Sequence, residues 1–159
     1  GLGSNLDRPR QQILTALSEL ERLPETTLVR RSPLYRSAPL GPADQPDYVN
    51  AVAMLETTLP AERLLDAIQA IEQHHGRERV RHWGPRTLDL DLLLYGDLVT
   101  DHPPLQLPRS DVLEYSFVLR PLAEIAPDLE HPVTGRTIGE HWQECDAARH
   151  PLTLVDVIL

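Results

Sequence analysis

Lysine is absent from this sequence of 159 residues, in which all 15 basic residues are arginine. A Walker-type phosphate loop needs a lysine beside its glycines, so that kind of site is excluded. Catalysis through a lysine Schiff base is excluded for the same reason. If the protein handles phosphates, it must do so with arginine side chains, backbone amides or a metal ion.

A disulfide partner, an excess of cations and long apolar runs are missing as well. The single cysteine, Cys145, is typical of a reducing compartment, so we expect a cytoplasmic protein. A formal net charge of -9 argues against general nucleic-acid binding, which needs cations over a wide face. No run approaches the roughly 20 apolar residues that cross a bilayer, and nothing at the start is typical of a signal peptide, so we expect no membrane association. Protein partners are left open.

What the sequence does contain is a mixed helical and strand pattern. Apolar residues recur at helical spacing in two segments, while β-branched or alternating residues occupy three others. The predicted elements, in chain order, are a helix from Pro9 to about Leu23, strands over 26–35 and 48–58, a helix from Pro60 to near Gly76, a strand over 88–95 and a short helix before Pro127.

This order predicts an α+β sandwich, a mainly antiparallel sheet with its helices packed on one face. The length suits one domain with one substantial core, so we assign residues 1–159 to a single domain. Because the chain opens at Gly1 without a methionine, we expect its N-terminal strand to be truncated.

Two aspartates, Asp89 and Asp91, lie two residues apart on the predicted strand over 88–95. Both side chains then project from one face, with about 6.6–6.8 Å between their Cα atoms. One interpretation is an edge strand with solvated aspartates. The other is a central strand, favoured by the apolar run at 92–94, where paired carboxylates need a neutralising cation. Hard oxygen ligands with no His or Cys cluster then favour Mg²⁺ over zinc.

Arginines are concentrated directly before these aspartates, at Arg77, Arg79, Arg81 and Arg86, with Trp83 among them. A solvated basic loop is the simpler interpretation of such a cluster. Beside a metal site, however, the loop has what a bound polyphosphate requires, namely guanidinium forks for its oxygens and a closure that excludes water. The tryptophan then packs over the nucleotide or anchors the loop.

Three weaker signals concern ring and nucleotide binding. Tyr48 and Asn50 share one strand face and could stack on and hydrogen-bond a flat heterocycle, although such pairs are usually structural. Gln69 and Glu72 lie one helical turn apart, where most polar pairs are simply solvated. Phe117, the single phenylalanine, is uninformative by itself.

The run RHWGPRTLDLD at 81–91 resembles the hallmark of the 6-hydroxymethyl-7,8-dihydropterin pyrophosphokinases of folate biosynthesis. Shorter matches occur in order from Gly3 to about Pro127, among them GSNL at 3–6 and QPDYVNAV at 45–52. The resemblance implies a ferredoxin-like α+β fold. It also implies attack of the pterin hydroxymethyl oxygen on the β-phosphorus of ATP, with ATP as co-substrate, two Mg²⁺ ions as cofactors and AMP as the leaving group.

The resemblance further implies roles for individual residues. Asp89 and Asp91 would bind both Mg²⁺ ions, and Arg77 and Arg86 would hold and stabilise the diphosphate as it transfers. The residues implied for the pterin are Ser37, Ala38, Leu40, Tyr48, Asn50 and Phe117, of which Tyr48 and Phe117 sandwich the ring and Asn50 bonds its edge. The residues implied for the nucleotide are Gln69, Glu72, Arg79, Trp83, Arg109 and Ser110.

Departures from the family pattern concern the expected phosphate side. Arg109 stands where a histidine is usual, Tyr115 where an arginine is frequent, and the loop before Trp83 is shorter than in a well-known bacterial member. They leave a second function open, that of a paralogue which binds pterin or nucleotide with weak or no turnover. The intact pair Asp89 and Asp91 argues against it, because a mere binder needs no two-metal clamp.

Overall fold

The structure is a computed structural model that describes residues 1–39, 44–76 and 87–145, and the backbone of 152–156. Within these ranges lie nine strands and five helices. The strands are β1 (Leu2–Ser4), β2 (Thr26–Arg31), β3 (Leu34–Ser37), β4 (Tyr48–Ala51), β5 (Ala53–Thr57), β6 (Asp89–Leu90), β7 (Thr100–His102), β8 (Leu105–Leu107) and β9 (Leu152–Asp156). The helices are α1 (Pro9–Glu21), α2 (Ala61–His74), α3 (Asp111–Glu114), α4 (Ser116–Ile125) and α5 (Ile138–Glu144).

Five strands form an antiparallel sheet in the order β6-β1-β4-β3-β9. Strand β1 pairs with β4 on one side and with β6 on the other, so that Gly3 stands between Asn50 and Asp89. Two further antiparallel pairs, β2 with β5 and β7 with β8, lie outside this sheet. The prediction of an α+β fold with a mainly antiparallel sheet is confirmed.

The predicted strands over 26–35 and 48–58 are each divided in two. The division falls where Ser32 faces Val52: the Ser32 N–H donates to the Val52 carbonyl at 2.9 Å, and the Ser32 hydroxyl oxygen accepts from the Val52 N–H at 2.9 Å. Pro33 follows and has no N–H to give to a ladder. The chain therefore passes at this point from the two-stranded sheet of β2 and β5 to the five-stranded one.

The predicted strand over 88–95 is wrong beyond its beginning, because β6 contains two residues. The interpretation as a central strand is wrong too, since β6 lies at the edge of the sheet formed by the described residues. The Asp91 N–H still donates to the Gly1 carbonyl at 2.9 Å, but the described chain has no strand opposite the residues that follow. There the Arg109 N–H donates to the Leu93 carbonyl at 3.0 Å instead.

Helices cover both faces of the five-stranded sheet, so the expectation of helices on one face is wrong. The alternation along β4 explains the arrangement, because successive side chains point to opposite faces. Val49 and Ala51 pack in a core with α1 and α2, whereas Val52, just beyond β4, belongs to a second core with α3, α4 and α5. Tyr48 and Asn50 project on the α4 side, and this is where the site lies.

Helix α5 begins at a capping box, in which the Thr137 hydroxyl accepts from the Glu140 N–H and the Glu140 carboxylate accepts from the Thr137 N–H. This spacing is readable from sequence, although the helix was not among the predicted elements. No helix in the described ranges is long and apolar enough to cross a membrane. That residues 1–159 form one domain with a truncated first strand stays a prediction.

Candidate active site

A cavity of about 80 Å³ lies between one face of the sheet and α4. The end of β3, strand β4, strand β1, the segment around β6 and the start of α4 all contribute to its walls. Residues predicted for the pterin and residues predicted for the metal line this one cavity, namely Ser37, Ala38, Tyr48, Asn50, Phe117, Asp89 and Asp91. The pairing of β1 with β4 and β6, and of β3 with β4, brings the strand residues together from separate parts of the chain, and α4 adds Phe117.

Asn50 is fixed at the pterin side of the cavity by a buried hydrogen bond. Its amide nitrogen donates to the Ser37 hydroxyl oxygen at 2.7 Å, and both residues are 6% exposed. Gly3 lies beside it, and a Cβ built on that glycine would stand 3.5 Å from Asn50 Oδ1 and 3.7 Å from Tyr48 Cδ1. The missing side chain of Gly3 therefore leaves open space next to the amide oxygen and the tyrosine ring.

Phe117 is held by another aromatic ring in front of α4. The rings of Tyr115 and Phe117 stack with centroids 5.0 Å apart and an interplanar angle of 14°. Stacked pairs of this kind stabilise each other by about 0.5–1.5 kcal/mol beyond their buried area. Tyr115, which replaces a frequent arginine of the family pattern, thus contacts a residue predicted for the pterin.

Asp89 and Asp91 are placed by the pairing of β6 with β1 and by a buried carboxylate behind the strand. Glu72 of α2 is 5% exposed, and its Oε2 accepts from the Leu90 N–H at 2.9 Å. The Leu90 N–H lies between the two aspartates and points away from β1, so at the edge of the sheet it would have no partner. The bond to Glu72 provides one. Glu72 therefore supports the aspartates, while its predicted contact with the nucleotide stays a prediction.

Positive charge reaches the aspartates from Arg109. Its Nη1 lies 3.9 Å from Asp91 Oδ1, and its Nη2 lies 3.4 Å from Asp111 Oδ2. Burial lowers the pKa of Arg109, but the carboxylates of Asp91, Asp111 and Asp89 outweigh burial and hold that pKa above its ordinary value. The guanidinium is therefore a fixed positive charge within the group of carboxylates.

The donor set of the cavity suits a hard divalent cation. Asp89 and Asp91 both face it, and its lining residues include neither histidine nor cysteine. In the described part of the chain, no three His, Cys, Asp or Glu residues converge closely enough to hold a metal ion by themselves. Two carboxylates fit Mg²⁺ nonetheless, because this ion usually binds through one or two carboxylates together with substrate phosphates and water.

The remaining predicted residues are only partly accounted for. Gln69 is exposed on α2, and Ser110 is exposed directly before α3, next to Arg109. The predicted roles of Leu40, Arg77, Arg79, Trp83 and Arg86 fall outside the described residues and stay predictions.

Four residues in or next to the site were not assigned a role from sequence: Gly3 and Asp111 line the cavity, and Ser4 and Asn5 follow Gly3 along the chain. Ser4 is buried and its hydroxyl donates to the Thr87 carbonyl, while the Asn5 amide donates to the Gln45 side chain and to the Pro46 carbonyl, both at 2.9 Å. The resemblance included Gly3, Ser4 and Asn5 within GSNL, but the contacts of Ser4 and Asn5 cross more than 35 positions of the chain. Asp111 carried no local signal.

A larger cavity of about 520 Å³ lies on the other side of the 90–96 segment. Its walls are mostly apolar side chains of β5, α2 and this segment, such as Met54, Ile68 and Leu92. Asp91 borders both cavities, as do Gly1, Leu2, Val52 and Leu93. The lining of the larger cavity is mainly apolar, with Glu56, Thr57, Asp91 and Tyr95 as exceptions, whereas the predicted substrate and metal residues gather in the smaller one, which is the candidate active site.

Comparison with known proteins agrees with the residues gathered here. The family model for 7,8-dihydro-6-hydroxymethylpterin-pyrophosphokinase matches residues 1–127. A 2-amino-4-hydroxy-6-hydroxymethyldihydropteridine pyrophosphokinase of Pseudomonas aeruginosa is 56% identical over 144 residues, which are 91% of this chain and 88% of that protein. The protein of the same name from Haemophilus influenzae is 52% identical over 131 residues, 82% of each chain.

One relative is a much longer protein, of which this chain matches only a part. The folic acid synthesis protein fol1 of Schizosaccharomyces pombe is 41% identical over 138 residues, which are 87% of this chain and 19% of that protein. These names give no support to a paralogue without turnover. Given the family model and the identity to the bacterial enzymes, this chain belongs to the 7,8-dihydro-6-hydroxymethylpterin-pyrophosphokinase family.

Proposed function

We propose that this protein transfers a diphosphate group from ATP to the hydroxymethyl group of 6-hydroxymethyl-7,8-dihydropterin during folate biosynthesis in the cytoplasm. The hydroxymethyl oxygen bonds to the β-phosphorus, the bond from that phosphorus to the α,β-bridging oxygen breaks, and AMP leaves. The hydroxyl proton passes to solvent. One observation carries the proposal: a single cavity combines an aromatic and amide side, at Tyr48, Asn50 and Phe117, with the carboxylates of Asp89 and Asp91.

The pterin fits the side of the cavity that Gly3 leaves open. Tyr48 and Phe117 lie on the cavity wall and offer ring faces for stacking, and the Asn50 side chain offers its amide oxygen to a ring N–H. Because Ser37 already holds the Asn50 nitrogen, the amide is oriented before the substrate arrives. Such orientation reduces the conformational entropy that binding would otherwise cost.

The diphosphate end of the reaction belongs beside Asp89 and Asp91. Two Mg²⁺ ions held there would neutralise phosphate oxygens and the charge that develops on the leaving group. Arg77 and Arg86, placed by the sequence motif, would hold the diphosphate, and Arg79, Trp83, Gln69 and Ser110 would complete the nucleotide side. Catalysis is then mainly alignment and charge neutralisation, with no covalent enzyme intermediate.

The proposal is tested by following AMP and ADP during incubation with ATP, the hydroxymethyl dihydropterin and Mg²⁺. We expect AMP in step with pterin diphosphate, and no product after chelation of the metal. Asp89→Asn and Asp91→Asn should each lower kcat/KM by at least about a hundredfold, because each removes a metal ligand that the transition state relies on. Asp101→Asn, at an exposed position on β7, is the matched control and should behave as wild type. Accumulation of ADP, or normal turnover in both site variants, contradicts the proposal.

A further inference from the structure

We propose that Arg109 is the resting counter-ion of the metal site: it pairs with Asp91 in the free enzyme and must leave that carboxylate before a divalent cation binds there. The inference rests on the proposed function for the identity of the metal site. It concerns a step before diphosphate transfer, in which the metal ion replaces Arg109 beside Asp91.

The geometry places the guanidinium between two carboxylates. Its Nη1 is 3.9 Å from Asp91 Oδ1, while its Nη2 is 3.4 Å from Asp111 Oδ2 and 3.5 Å from Asp111 Oδ1. The contact with Asp111 is the closer one, so the loose contact with Asp91 is the one that breaks first. Asp111 then keeps the arginine paired when it moves.

The base of the Arg109 side chain is anchored next to the aspartates. Its backbone N–H donates to the Leu93 carbonyl at 3.0 Å, two residues beyond Asp91. The guanidinium can therefore change position while the Arg109 backbone stays in place. The Nε atom is buried and finds no hydrogen-bond partner in the described part of the chain. In this position the guanidinium therefore does not use all of its hydrogen-bond donors. A conformation that gives Nε an acceptor would be more favourable.

Displacement is required because arginine cannot lose its charge. A histidine beside a metal site can give up its proton as the cation enters, but the guanidinium stays protonated at every accessible pH. A divalent cation at Asp91 therefore meets a competing positive charge, which has to swing away. Asp91 and Asp111 are the carboxylates that contact that charge.

ATP supplies the anion that takes Arg109 from Asp91. The triphosphate offers a guanidinium several oxygens with the geometry it prefers. The metal should consequently bind weakly to the free protein and well together with the nucleotide. Replacing Arg109 should raise metal affinity in the absence of nucleotide, which is the opposite of what loss of an ordinary site residue does.

The test is a Mn²⁺ titration of the nucleotide-free protein, with free Mn²⁺ followed by electron paramagnetic resonance at constant ionic strength. We expect Arg109→Gln to bind Mn²⁺ about threefold to tenfold more tightly than wild type, since both the competition and the repulsion are removed. Arg109→Lys keeps the charge and should stay close to wild type. Arg136→Gln is the matched control, because Arg136 also pairs with two carboxylates, Glu140 and Glu144, away from the site.

Two further results decide the origin of any gain. Adding Asp91→Asn to Arg109→Gln should abolish the extra affinity, and thermal unfolding should show that both variants are folded. Equal Mn²⁺ affinity in wild type and Arg109→Gln, including no measurable binding to either, overturns the inference. So does the same gain in Arg136→Gln. Failure of the proposed function is a separate result, because it is read from AMP formation by the wild-type protein and needs no variant of Arg109.

Discussion

Replacing Asn50 with alanine tests the pterin side of the site most directly. The substitution removes the 2.7 Å hydrogen bond to Ser37 and the amide oxygen that lies beside Gly3 in the cavity. A polar group left unpaired in a buried complex costs about 1–3 kcal/mol, which corresponds to a loss of pterin affinity of about fivefold to a hundredfold. ATP-analogue affinity should stay the same, because the proposed function assigns the nucleotide to other residues, such as Gln69 and Ser110.

Ser37→Ala is the matched control for this prediction. It removes the same internal hydrogen bond but leaves the Asn50 amide in place, so both variants should lose about 1 kcal/mol of unfolding free energy. Only Asn50→Ala should lose most of the pterin affinity. In the double variant the two stability losses should not add, because they report one shared bond.

The measurement is an equilibrium fluorescence titration with the pterin substrate, paired with urea unfolding of each variant. Unchanged pterin affinity in Asn50→Ala would refute the reasoning. So would a larger loss in Ser37→Ala than in Asn50→Ala, since the serine would then be the group that contacts the ligand.

Three further predictions concern other parts of the structure. Glu72→Ala should lower the free energy of unfolding in urea by about 1–3 kcal/mol, because it leaves the buried Leu90 N–H without its acceptor; Glu72→Gln, which keeps an acceptor oxygen, should recover part of this, and equal losses would count against the contact. Gly3→Val should weaken pterin binding at least about tenfold with an unchanged circular dichroism spectrum, since its side chain enters the space beside Asn50; normal pterin affinity would show that this space is not used. Burial and, after it, His141 lower the pKa of His131, whose Nδ1 accepts from two backbone N–H groups. The unfolded chain therefore binds this proton more readily, and stability should fall as pH drops below about 6.5. In His131→Asn, which keeps an acceptor, thermal unfolding across that range should lose this component of the pH dependence; an unchanged pH profile would contradict it.

Local patterns in the sequence predicted much of the fold. The helices from Pro9 and after Pro60 follow from apolar spacing and proline positions, and α1 and α2 confirm them. Strand ends were harder to predict, because they depend on pairing with distant residues. The break between Ser32 and Val52 is a contact across 20 positions, and no pattern within either strand announces it.

The segment over 88–95 shows the same limit more sharply. Its apolar residues fit a buried strand, and Leu90 and Leu93 are indeed buried. A strand also needs a neighbour, and the described residues provide one only as far as Asp91. Burial was therefore predictable from composition, whereas regular strand structure was not.

The candidate site was predictable where the two-residue periodicity of a strand determines which side chains share a face. Asp89 with Asp91, and Tyr48 with Asn50, line the same cavity, as spacing on a strand face suggests. The contact between Arg109 and Asp91 was not predictable, because it depends on how the 107–111 turn meets the edge of the sheet. The family resemblance placed Tyr115 on the expected phosphate side. Its stacking on Phe117 was not predicted, because that contact depends on the three-dimensional fold.

The most direct test of the central claim is the fate of the β-phosphorus of ATP. The protein is incubated with ATP labelled at that atom, the hydroxymethyl dihydropterin and Mg²⁺, and the products are separated by chromatography. A pyrophosphokinase that uses the Asp89 and Asp91 site moves the label to the pterin, releases unlabelled AMP, and stops when either aspartate becomes asparagine. Label that stays in ADP, or that reaches the pterin equally well in the Asp89→Asn and Asp91→Asn variants, would contradict the account.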